Sequence, residues 1–179
     1  MTQTGRHPEL PSGRSRVSGF SLVEALVVVM VILVIAAIAI PSFVQARMKA
    51  NEASAVSSMH AIDVAEILYS QTYPDMGFSR TLQDMGTRGT NCQNPTATSA
   101  CLIMDDSLAN GFKSGYVFQL NSDGQRPSLG YTLSGAPEMG GISGRCSFGS
   151  NQSGEIKIIA NGSTGASQFS LGGSGTCDH

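Results

Sequence analysis

Tryptophan is absent from these 179 residues, aromatics make up only 6% of them and charged residues only 13%. So few large side chains leave little material for a deep core, and the 21 glycines point instead to a thin, loop-rich domain with short strands. Histidine is scarce too: His7, His60 and His179 stand far apart. No HExxH pair, Walker-type glycine loop, ordered Ser/His/Asp set or paired metal-ligand spacing occurs, so an enzyme, a metal site and a cofactor are not expected. No CxxCH is present, which excludes c-type haem attachment, and the few aromatics give no basis for electron conduction. The basic residues are scattered through the C-terminal half, so no specific nucleic-acid partner is expected.

Length allows one ordinary domain beside an N-terminal segment of different character. The formal charge of −2 is unevenly spread. Arg6, Arg14 and Arg16 precede Phe20, against Glu9 alone among the acids. Removing residues 1–19 takes away three of the 11 basic and one of the 13 acidic residues and leaves −4. The four cysteines, Cys92, Cys101, Cys146 and Cys177, lie beyond the apolar segment, even in number and without CxxC spacing. That pattern reads as disulfides in an oxidising compartment rather than a metal site. Three pairings are open. The polar stretch between Cys92 and Cys101 is easily closed by a local bridge, and Cys146–Cys177 would staple a Gly/Ser-rich tail to a strand, so these two pairs are preferred.

From Ala25 to Ile40 every residue is apolar, and the character reaches back to Phe20 with Ser21 and Glu24 as interruptions. A helix over 20–40 would be about 31 Å long, which matches a bilayer core of roughly 30 Å. A secretory signal would place its small-x-small site after the apolar core, whereas Ala37-Ile38-Ala39 sits inside it, Pro41 follows, and an acid opens it. A plain single-span anchor leaves Glu24 unexplained, since an acid in a membrane helix is costly and normally has a partner or a task.

Gly19-Phe20-Ser21-Leu22-Val23-Glu24, after a basic leader and before an unbroken apolar run, resembles the processing motif of type IV prepilins and pseudopilins. The resemblance covers roughly residues 14–45, with Ser21 where threonine is more common and Pro41 where many pilins carry a helix-bending proline. It implies cleavage by a prepilin peptidase between Gly19 and Phe20, N-methylation of Phe20, and an assembly role for Glu24 and Pro41. A side-chain-free Gly19 suits close approach of a protease. Cleavage would expose an ammonium on Phe20 that cannot stay unpaired in hydrocarbon. Glu24, one helical turn on, would neutralise its own amine or a neighbouring subunit's and so set axial stagger; the helix macrodipole alone would also favour an acid there. Arg6, Arg14 and Arg16 outweigh Arg47 and Lys49, so the N-terminus is expected to remain cytoplasmic and the rest to cross the inner membrane.

The expected architecture is α+β: a leader over 1–19, a transmembrane and assembly helix over 20–41, an amphipathic helix over 42–73, a connection over 74–110, and an antiparallel sheet with a disulfide-tied tail over 111–179. No Gly or Pro falls between Ser42 and Tyr73, and Pro74 ends the helix. Pro41 is expected to kink or locally melt it. Ala53, Val56, His60, Val64, Ile67 and Leu68 form a stripe expected to pack on the sheet, with His60 as a packed or rim residue. Short helices are expected at 79–85 and 102–109. Strands are expected at 116–120, 130–134, 145–148 and 155–160, separated by turns that include 135–141. Asp105-Asp106 and the 121–124 segment read as a cap and a turn before they read as calcium ligands. The sequons at Asn151 and Asn161 read as turns.

The function expected is a structural subunit of a type IV pilus, serving attachment, twitching or DNA uptake. It would form a helical homo-oligomer after passing through the membrane, prepilin peptidase and an inner-membrane assembly machine, and end in a cell-surface filament. A type II secretion pseudopilin, with a periplasm-spanning pseudopilus, is the alternative. A singly anchored periplasmic binding protein that never polymerises is a third reading, and it predicts tolerance of Glu24→Gln.

Overall fold

The computed structural model describes residues 20–89 and 92–161, the last two by backbone only. Helix α1 runs from Leu22 to Thr72. It starts where Ser21 O accepts from Ala25 N at 3.1 Å, and ends where Tyr73 N still donates to Tyr69 O at 2.8 Å before Pro74 removes the next donor. Every residue between is helical, Pro41 included, so the local melting expected there is absent. One missing N–H in a helix of 51 residues leaves the bonds on either side to hold it.

The chain divides into two compact units between Ile40 and Pro41. In the first, residues 20–40 are exposed apart from a half-buried Ala36, and α1 contains a stretch long and apolar enough to cross a membrane. The second unit, the head, has its own core.

In the head, α1 packs against a five-stranded antiparallel sheet ordered β1-β2-β3-β4-β5, making an α+β fold. The strands are β1 (Phe112–Lys113), β2 (Tyr116–Ser122), β3 (Tyr131–Pro137), β4 (Cys146–Asn151) and β5 (Lys157–Asn161). β1 and β2 are joined by Ser114 and Gly115 with φ of 51° and 73°, the double left-handed geometry of a two-residue hairpin. β2 pairs with β3 along its whole length, from Tyr116↔Pro137 to Ser122↔Tyr131. Alternation puts Tyr116, Phe118, Tyr131, Leu133, Cys146 and Phe148 into the core. Short helices α2 (Leu82–Met85) and α3 (Asp106–Ala109) lie in the connection between α1 and the sheet; Asp105 caps α3 by accepting from Ser107 N and Leu108 N.

Two expectations about the sheet need correction. Residues 135–137 belong to β3, not to a turn. Gly135 lies against the Phe118 ring, where a Cβ would come within 3.1 Å of it, and Pro137 is tolerated as the last strand residue. β1 was not anticipated, since two residues carry no alternation to detect.

Candidate assembly site

At the N-terminal end Phe20 and Ser21 precede α1, and Glu24 sits in its first turn. Phe20 is exposed. Gly19, the rest of the leader and hence the expected cleavage bond lie outside the described residues.

In the head, the face that α1 buries is the reverse of the one expected. Val64, Ile67 and Leu68 are 57%, 48% and 45% exposed; Ala53 and His60 are also exposed and Val56 is half-buried. The buried row is Met48, Glu52, Ala55, Met59, Ile62, Glu66 and Tyr69, at alternating steps of four and three that keep one face of a helix inward. Asp63, also buried, lies beside it. Glu52 and Glu66 interrupt the apolar character of that row, and this is why the outer stripe looks the more amphipathic in the sequence.

Each buried acid meets donors built into the head. Glu52 Oε1 accepts from Arg145 N at 2.8 Å and from Cys146 N at 3.4 Å. Asp63 Oδ1 accepts from Tyr131 Oη at 2.9 Å and Ser150 Oγ at 2.8 Å, while its Oδ2 is buried without a protein partner. Glu66 accepts from Ser79 N at 2.8 Å and Ser79 Oγ at 2.5 Å. Burial pushes the Glu66 carboxyl up to about 6; the Ser79 bonds pull the other way, and the charges of Asp63 and Asp84 add to the rise. Burial likewise raises Asp63 against its two hydroxyl donors. It raises Tyr131 as well, reinforced by the neighbouring Asp63 charge. Tyr69 Oη donates to Ala97 O at 2.6 Å and so ties α1 to the loop between Cys92 and Cys101.

Cys92 and Cys101 form a disulfide, nine residues apart in sequence. Cys146 is buried in β4; Cys177 lies outside the described residues, and no described cysteine is free. The carboxylates singled out as cap and turn residues have protein partners. Asp105 pairs with Lys113 at 2.9 Å, and that bond, with the α3 cap, lowers its pKa. Asp106 accepts from Thr87 Oγ1 at 2.6 Å. Asp123 accepts from the backbone N–H groups of Gln125, Leu129 and Gly130 and organises the 123–130 loop. Asn151 Oδ1 accepts from Ser153 N and Oγ in the β4–β5 turn; Gly162 and Ser163 of the other sequon are not described.

The sequence signals converge on α1 rather than on any cleft of the head. Residues 14–40 match the family model of the prokaryotic N-terminal methylation motif. No curated protein and no solved structure matches the chain. The matched segment is the signature of type IV pilins and pseudopilins. Proteins of that kind are structural; the motif implies processing by prepilin peptidase and filament assembly, and with the exposed apolar part of α1 it indicates membrane anchoring before assembly.

Proposed function

We propose that this chain is a structural subunit of a type IV pilus. Cleavage after Gly19 would free the amine of Phe20, which becomes N-methylated. Glu24 then pairs with the terminal amine of a neighbouring subunit and fixes axial stagger, because an unpaired charge in a packed apolar core is expensive. Pro41 marks the end of the membrane-held segment. Before assembly the subunit sits in the inner membrane with its N-terminus cytoplasmic; afterwards it belongs to a surface filament. The observation that carries this reading is α1 itself: an apolar, exposed stretch over 20–40, opened by a methylation motif, and an aliphatic stripe turned away from the head.

Staples in the head favour a pilus over a secretion pseudopilus, since a filament outside the cell bears load without the shelter of the periplasm. Cys92–Cys101 is one; Cys146–Cys177 is proposed as the other. The test is to shear surface filaments from cells and sequence the N-terminus of this subunit. N-methylphenylalanine from Phe20 in abundant filaments is the expected result. Absence from the surface together with defective secretion would point to the pseudopilin, and a mature chain that keeps residues 1–19 would defeat both readings.

A further inference from the structure

The acids on the head side of α1 break an apolar arc at a particular place. At about 100° per residue, Glu52 and Asp63 fall between Met59, which is fully buried, and Val56 and Ile67 on the outward side. Beyond Ile67 come Val64 and Leu68. Without the acids, apolar side chains would run from Ile62 round to Ile67 over roughly 140° of the helix circumference and, past His60, continue to Val64 and Leu68, so burial alone would permit more than one rotation of α1 against the sheet.

We propose that Glu52, Asp63 and Glu66 are positioning residues that index the rotation of α1 in the head, and thereby keep Ile67, Val64 and Leu68 outward. Their donors come from three separate segments: Arg145 N just before β4 and Ser150 Oγ near its far end, Tyr131 Oη on β3, and Ser79 in the loop after α1. A rotated helix would leave the Ser79, Tyr131 and Ser150 donors buried and unpaired, and would set three carboxylates against groups that offer them nothing. Buried carboxylates without a full complement of partners are poor stabilisers compared with apolar side chains of similar size, and Asp63 Oδ2 has no protein partner. Choosing among settings accounts for acids placed here; adding stability does not. The inference concerns the head alone and holds whether or not the chain polymerises.

The test uses the full-length protein as a detergent-held monomer, with Ile67→Cys as the probe and Gln125→Cys, at an exposed position of the 123–130 loop, as the reference. Maleimide labelling of the two is expected at comparable rates in the otherwise natural chain. In Glu52→Leu/Asp63→Leu/Glu66→Leu the Ile67→Cys rate should fall about tenfold relative to the reference, as a ten-to-one preference for a rotated setting requires, while cooperative melting persists. The donor-side variant Ser79→Ala/Tyr131→Phe/Ser150→Ala should slow the probe in the same sense. A folded acid-to-leucine variant with an unchanged ratio overturns the proposal. If that variant unfolds, the donor-side variant decides: a slowed probe supports indexing and an unchanged ratio overturns it. Unfolding of both also overturns it, because the acids would then hold up the fold rather than choose its setting.

Discussion

Tyr131 Oη donates to Asp63 Oδ1 at 2.9 Å, joining β3 to α1 across 68 residues of sequence. Ser150 Oγ reaches the same oxygen from β4 at 2.8 Å, so one carboxylate oxygen gathers the helix and two central strands. Tyr131→Phe removes one donor and keeps the ring, which packs edge-on against Phe78 at 5.0 Å between centroids. The expected loss is about 1.5–3 kcal/mol, the range for a hydrogen bond to a charged group, read as a lowered denaturation midpoint. A loss within experimental error would mean that Asp63 does not depend on this donor.

Glu66 gives the head an inverted acid response. Its carboxyl sits at about 6 in the folded protein against 4.5 normally, so the folded state binds more protons than the unfolded one between those values. Stability from this group is therefore greatest at and below about pH 4.5 and is lost as pH rises through about 6, by about 2 kcal/mol in all. Ser79 faces the carboxylate with two donors, and Asp63 and Asp84 face it with negative charge; Asp63, raised as well, works in the same direction. Chemical denaturation from pH 4 to 7.5 should show this decline in the natural chain and a flatter profile in Glu66→Gln. A slope of the opposite sign removed by Glu66→Gln would contradict the assignment.

How much of this was legible in the sequence depends on whether a signal was local. The extent of α1 was readable, because no Gly or Pro falls between Ser42 and Tyr73 and Pro74 stops it. The Cys92–Cys101 bridge was readable from its short polar loop. The buried face was not: Glu52, Asp63 and Glu66 look like solvent-side residues until Arg145 N, Tyr131 Oη, Ser150 Oγ and Ser79, 13 to 93 residues away, are known to meet them. The alternating spacing from Met48 to Tyr69 was present all along, masked by two glutamates.

Gly144 is a tight point where β4 begins. A Cβ there would run into the Tyr116 hydroxyl and come within 2.8 Å of its ring, and that hydroxyl donates to Cys146 O at 2.9 Å in the buried interior. Gly144→Ala should therefore cost about 1–3 kcal/mol by overpacking, and pairing it with Tyr116→Phe, which removes the nearest of the atoms in the way, should recover part of the loss. A thermal melt of the single and double variants checks this. Additive losses would show that the two residues do not compete for the same space.

The outward stripe allows folding to be tested apart from the proposed assembly. Val64, Ile67 and Leu68 are about half exposed in the single subunit, so the head gains little from them: Val64→Ser/Ile67→Ser/Leu68→Ser should leave the melting temperature of the detergent-held subunit nearly unchanged, within the roughly 0.5 kcal/mol per site typical of surface changes. In a filament the same three side chains would be packed against neighbouring subunits, where each buried aliphatic contributes about 1.5–3 kcal/mol, and the effect repeats at every subunit. Sheared-filament yield should accordingly collapse while subunit abundance in the membrane holds. Glu24→Gln should reproduce that split between membrane abundance and filament yield by a different route, through loss of the charge proposed to meet a Phe20 amine. Filaments at natural yield from the triple-serine variant would show that this face of α1 takes no part in assembly, and loss of the subunit itself would show that the stripe supports the fold.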